Sequence, residues 1–185
     1  MRADARRNLE RILDAAREQI TAHGPDVSMQ RIARAAGVAV GTLYRHHPTK
    51  THLVQAILTE HSAAILARAE EAARSASAPG EAMARLEEML ADLLEEAARN
   101  RAVKEAAAAL GAGRVTTEQE ERGRTAVASL LRAALADGDL RPGVTADDVY
   151  LIMAAAPASL DGAARRRWLE IVLAGIGTRR TTLEP

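Results

Sequence analysis

The chain has 185 residues, no cysteine, no phenylalanine and equal numbers of basic and acidic residues, 25 of each. That length can bury a sizeable core in one domain or two, and the absence of cysteine excludes a disulfide framework, a thiolate metal site and a cysteine nucleophile. No stretch reaches the roughly 18 apolar residues of a membrane span, and MRADARRNLERILDAAR interleaves charge where a signal peptide needs an unbroken apolar run. The expected location is therefore cytoplasmic, with no membrane partner.

Zero net charge hides an uneven distribution. Residues 1–60 hold nine basic and six acidic side chains, +3, and the remainder holds 16 against 19, −3. A basic amino-terminal module on a slightly acidic body fits this split.

Leu9, Ile12, Leu13, Ala16 and Ile20 recur at helical spacing and predict a first helix near 5–22, ended by His23-Gly24-Pro25. Ser28 suits the N-cap of a second helix near 28–35, and Gly37 breaks it before a third near 39–46, closed by Pro48. Helices of about two turns are marginal alone, so these two must lean on the first. Thr49 caps a long fourth helix near 50–74 that carries Val54, Ile57, Leu58, His61 and Ile65. After a break over Ser75 to Gly80, Met83, Leu86, Leu90 and Leu93 mark a fifth near 80–98, and a sixth follows near 101–110. Breaks at Gly111 to Gly113, Asp137 to Gly143 and Pro157 to Gly162 separate helices near 116–137, 145–156 and 163–177. Thr145-Ala-Asp-Asp caps the eighth and puts carboxylates in its first turn. No alternating strand pattern appears. The chain reads as all-α with about nine helices, a three-helix module over 1–50 joined by the long fourth helix to a helical body over 51–185.

Residues 28–47, SMQRIARAAGVAVGTLYRHH, have the spacing of a helix-turn-helix. Ile32, Ala33, Val38 and Leu43 can share a small core, Gly37 supplies the turn, and Ala39, Val40, Thr42, Tyr44, Arg45 and His46 are left nearer the outside. Small residues permit close approach in a major groove, methyl groups meet thymine, and hydroxyls and cations meet phosphate. Tyr44 offers a rigid hydroxyl to the backbone, and Lys50 with the free N–H groups of the fourth helix can grip another phosphate. An ordinary solvated face with a half-buried tyrosine would use the same residues.

Ile32-Ala33-Arg34-Ala35-Ala36-Gly37-Val38, then Gly41-Thr42-Leu43-Tyr44-Arg45-His46 and Lys50, resemble the DNA-binding domain of tetracycline-repressor-like (TetR family) regulators over about residues 8–55. The resemblance implies DNA-backbone contacts at Thr42, Tyr44, His46 and Lys50. It puts Gln30, Ala39 and Val40 nearer the bases, with Arg45 on the same outer face, and makes Ser28 a helix cap also able to meet a phosphate. Two positions depart from the family pattern: His47 stands where an aromatic is usual, and Ile20 where Phe is usual. Ile20 changes only packing. His47 either stays neutral with a hydrogen-bond partner or weakens the small domain near and below the ordinary imidazole pKa of about 6.5.

The resemblance further implies a homodimer through the last two long helices, a small-molecule effector and a double-stranded DNA operator, with no cofactor. Independently, Val149, Ile152, Met153, Trp168, Leu169, Val172, Leu173 and Ile176 make the eighth and ninth helices apolar on more than one face. They belong to the centre of the body or to a dimer interface. The close of the chain, ending in LAGIG, is loosely similar to SbtR-like carboxy-terminal domains. Leu86, Met89, Leu90, Leu93, Val103, Leu110, Val127, Leu131 and Met153 could line an effector pocket, although an apolar stripe at helical spacing also reads as core. No catalytic or metal site is expected, because no two histidines have the i, i+4 spacing of a helical metal site and no phosphate loop or nucleophile elbow appears. The reading is a ligand-responsive repressor. The alternative is a helical protein-interaction adaptor that no longer binds DNA.

Overall fold

A computed structural model describes the backbone of residues 2–76, 78–112, 117–157 and 161–178, and side chains over the same ranges from residue 7 onward, residue 117 excepted. Parts of the breaks expected at Ser75 to Gly80, Gly111 to Gly113 and Pro157 to Gly162, and the start of the seventh helix expected at 116, lie outside the described residues. The described residues form nine α-helices: α1 (Arg2–His23), α2 (Met29–Ala36), α3 (Val40–His46), α4 (Lys50–Ser75), α5 (Ala82–Arg99), α6 (Arg101–Ala109), α7 (Thr117–Ala136), α8 (Ala146–Ala155) and α9 (Gly162–Ile176). The helix boundaries fall within a few residues of those expected, and the punctuation explains why. Ser28 and Thr145 accept backbone N–H bonds at the starts of α2 and α8, Thr145 within a capping box with Asp148. The α4 start is capped by the Thr49 hydroxyl, which accepts from the His52 N–H at 3.1 Å.

The chain divides into two compact units. One comprises Met1–Ser62 with Arg99–Val115, and the other Ala63–Ala98 with Thr116–Pro185. The first is thus larger than the 1–50 segment, taking in the first half of α4 and all of α6. Its core is built from Ile12, Ala16 and Ile20 of α1, Ile32 and Ala33 of α2, Leu43 of α3, Leu53, Val54 and Ile57 of α4, and Val103 and Ala106 of α6. Ile20, where the family pattern favours Phe, is completely buried. His61 and Asn100 are also buried here, the amide nitrogen 3.4 Å from the imidazole Nδ1.

The second unit buries Leu86 and Leu90 of α5, Val127, Leu130 and Ala134 of α7, Val149 of α8, and Leu169 and Leu173 of α9 around one core. Arg165 pairs with Glu95 at 2.7 Å, and Arg122 with Glu70 at 2.7 Å. Between α7 and α8, the Arg124 guanidinium lies 4.7 Å from the centre of the Tyr150 ring and pairs with Asp147. The segment after α7 is clasped to the end of α9: the Arg141 N–H donates to Ile176 O and the Thr178 N–H to Asp139 O, both at 2.9 Å.

Candidate nucleic-acid interface

The turn between α2 and α3 sets the geometry of the first unit's polar surface. Gly37 has φ 64°, a left-handed conformation that side chains other than glycine adopt at a penalty. It allows the Val38 N–H to reach back to Ala33 O at 3.0 Å and the Gly37 N–H to Arg34 O at 3.1 Å, a Schellman closure of α2. The Arg11 guanidinium of α1 donates to Ala36 O at 2.6 Å, placing a cation on the negative end of the α2 dipole.

From this turn α3 projects for seven residues, of which only Leu43 is buried. Ala39, Val40, Tyr44, Arg45 and His46 are exposed and Thr42 is partly so, and Val40 and Tyr44 are exposed to 37% and 40%. Ser28 and Gln30, at the start of α2, are exposed as well. All nine side chains expected to meet DNA therefore belong to one unit, and eight are carried by the helix-turn-helix. Lys50, at the start of α4, donates from Nζ to Pro25 O at 2.6 Å, so its ammonium bridges to the loop before α2 and keeps two further N–H donors.

His47 closes α3, its backbone N–H on Leu43 O at 2.8 Å. Its side chain is 7% exposed, and the buried Nε2 has no hydrogen-bond partner among the described residues. Burial, reinforced by the charges of His46 and His52, pushes its pKa below the ordinary value. The imidazole thus occupies the aromatic's place as a neutral group.

Side chains expected to line a pocket divide between the two units. Val103 and Leu110 pack on the core of the first. Leu86, Met89, Leu90, Val127 and Leu131 are within the core of the second, each at most 5% exposed, and Leu93 and Met153 pack at its margin. Of the side chains expected at a dimer interface, Val149, Leu169 and Leu173 are buried in the second unit's own core, and Ile152, Met153, Trp168, Val172 and Ile176 are partly exposed. The most open large apolar side chains on these helices are Leu151, 69% exposed, and Ile171, 52% exposed. The sequence pattern does not single out Leu151, since both faces of α8 are apolar and its periodicity does not say which is buried. Elsewhere on the second unit, a surface cavity of about 230 Å³ is lined by Gly80, Met83, Glu87, Asp139, Leu173 and Gly177 among others.

A glycine-closed two-helix motif with an exposed polar second helix, carried on a helical chain with a separate helical unit, defines a helix-turn-helix regulator. Residues 12–57 match the family model for bacterial regulatory proteins of the tetR family, and residues 78–178 match the SbtR-like transcriptional regulator carboxy-terminal domain. The chain belongs to the TetR family of DNA-binding transcriptional regulators, which are not enzymes, and carries the SbtR-like type of carboxy-terminal domain. Among similar solved structures, a TetR regulatory protein from Mycobacterium vanbaalenii is 28% identical with TM-score 0.75, covering 96% of this chain and 99% of that one. The TetR regulator SCO0520 from Streptomyces coelicolor is 26% identical with TM-score 0.70, covering 92% and 99%. The uncharacterized HTH-type regulator TtgW of Pseudomonas putida is 44% identical over 57 residues, 30% of this chain and 42% of that protein. The chain spans less than half the length of the curated relatives it matches.

Proposed function

We propose that this regulator binds a near-palindromic operator as a homodimer, represses the adjoining genes, and is released by a small-molecule effector. The observation that carries the DNA reading is the juxtaposition on one unit of the exposed α3 face with Ser28, Gln30 and Lys50. Thr42, Tyr44, His46, Lys50 and Ser28 serve the phosphates, and Gln30, Ala39 and Val40 lie toward the bases. Acting on chromosomal DNA puts the protein in the cytoplasm.

Dimerisation is supported by Leu151 and Ile171, large apolar side chains left open on α8 and α9, with the small Ala154, Ala155 and Gly175 exposed on the same helices. A second copy of the chain is the occupant for which this surface is suited, because an isologous contact covers the same patch on both subunits at once. The two α3 helices would then enter successive major grooves roughly 34–36 Å apart. The effector acts from the carboxy-terminal domain, and it can release DNA only by as much as it prefers the conformer that does not bind.

Selection of bound sequences from a random duplex pool, followed by affinity measurement across salt concentrations, tests the reading. The expected winner is a palindrome whose log affinity falls with log salt by about 0.9 per phosphate neutralised. A folded dimer that enriches no sequence at low salt would overturn it and favour the protein-interaction alternative.

A further inference from the structure

Gly41 is the second residue of α3, a seven-residue helix, and glycine is among the poorer helix formers. Nothing within the protein calls for it. Its φ is not positive, and a Cβ built on it meets no atom within 4 Å. Gly37, four residues earlier, is different, since φ 64° requires it. With no side chain at this position, the outer face of the first turn of α3 is bare backbone, open to close approach from outside the chain.

The helical wheel says where that bare stretch lies. At about 100° per residue, Gly41 and Arg45 stand roughly 160° and 200° around from the buried Leu43, the two positions furthest from the core. Val40 and Tyr44 flank them on one side and Thr42 and His46 on the other. The centre of the exposed face is thus a bare backbone strip followed, one turn later, by a guanidinium. Arg45 is exposed and has no hydrogen bond or ion pair among the described residues. Arg11, Arg17 and Arg31, in the same unit, are each engaged with a carbonyl, a carboxylate or an amide, while Arg34 of α2 is open as Arg45 is.

We infer that Gly41 and Arg45 form the base-reading centre of α3, Gly41 letting the helix axis press against the base edges and Arg45 reading a guanine in each half-site. The inference rests on the DNA-binding reading above and adds which positions read and what they read. A planar guanidinium donates two parallel N–H bonds to O6 and N7 of guanine, a pairing that only a G·C pair offers in the major groove. Val40 and Tyr44, displaced toward the flank, are left for thymine methyls and the sugar–phosphate edge.

Gly41→Ala separates this role from a structural one, because alanine is the better helix former and its methyl meets nothing in the free protein. The variant should melt at the same temperature as wild type or up to about 4 °C higher. On the operator selected by wild type its dissociation constant should rise on the order of tenfold or more, while binding to an unrelated duplex, held by phosphate contacts, stays unchanged. Arg45→Ala should lose guanine preference at one base pair of each half-site by about 5- to 150-fold and leave the other positions as they were. If wild type selects no operator, the DNA-binding reading has failed and this inference falls with it. If wild type selects one and Gly41→Ala binds it equally well, or if Gly41→Ala also lowers the melting temperature, the glycine is not there for DNA. Retention of every base preference in Arg45→Ala would overturn the assignment to guanine.

Discussion

Leu43→Ala tests how the recognition helix is held. Leu43 is the only buried residue of α3 and is completely inaccessible to solvent, packed with Ile32, Ala33 and Leu53 in the core of the first unit. Truncation removes three carbons, about 2.4 kcal/mol at roughly 0.8 kcal/mol per methylene. The cavity left behind brings the total toward the measured range of about 2.7–5 kcal/mol for buried leucines. Because a seven-residue helix has almost no stability of its own, this loss falls first on α3. The turn bonded through the His47 N–H on Leu43 O should open before the rest of the unit unfolds. Hydrogen exchange at the His47 amide, read beside urea unfolding of the whole chain, distinguishes the two. The expected result is His47 exchange accelerated by at least about 30-fold, equivalent to about 2 kcal/mol, with amides of α1 accelerated less. Loss of under about 1 kcal/mol at His47, or equal acceleration in α1 and α3, would refute the idea that one leucine anchors the helix. Leu43→Met, close in volume, should cost less than about 1.5 kcal/mol.

Other expectations follow from the same geometry. His47 has a lowered pKa in the folded state, so as pH falls through about 6.5 the unfolded chain takes up a proton that the folded chain refuses; stability is held above that pH and declines until the lowered folded pKa is reached. His47→Phe should remove this slope in urea titrations between pH 7 and 5, and equal slopes for the two proteins would rule it out. Gly37→Ala forces a Cβ into φ 64° and should destabilise the first unit by about 1–2 kcal/mol in thermal melts; an unchanged melt would mean that the turn relaxes. Leu151→Glu with Ile171→Glu should convert a dimer to a monomer by sedimentation while helix content is kept, since both side chains are mostly exposed within the subunit. A dimer that survives both changes would place the interface elsewhere.

The amino-terminal unit is more legible in the sequence than the rest because its constraints are local. A cap at Ser28, a left-handed turn at Gly37 and an exit at Pro48 each act within a few residues, so the order of residues fixes where α2 and α3 lie and which of their faces is open. What the sequence does not supply is the partner chosen by a long flexible side chain. The sequence suggests a phosphate for Lys50, and in the protein by itself its ammonium lies on the Pro25 carbonyl. Arg11 gives no signal because a contact 25 residues away leaves no periodic mark, yet it holds the end of α2. In the second half the difficulty is different in kind. Apolar residues occupy more than one face of α8 and α9, so periodicity there signals helix without saying which face is inside. Val149 and Leu151 differ by two positions, and one is 3% exposed while the other is 69% exposed.

That closed second core bears on how an effector can work. Leu86, Met89, Leu90, Val127 and Leu131 are each at most 5% exposed, so a ligand taking their place has to separate side chains that now fill one another's contacts. Binding there would be strong only for a molecule that restores the lost apolar burial, and the conformer it stabilises would differ in packing from the present one. A ligand held in the surface cavity beside Met83 and Glu87 needs no such rearrangement. Thermal-shift screening with matched variants separates the cases. A ligand of the core should raise the melting temperature of wild type by an amount set by RT ln(1 + [L]/Kd), and should bind more tightly to Met89→Ala, whose vacated volume it can occupy. Surface binding should be indifferent to Met89→Ala and sensitive to Glu87→Gln. An effector that binds both variants as it binds wild type would exclude both places and direct attention to a site completed by the second subunit of the proposed homodimer.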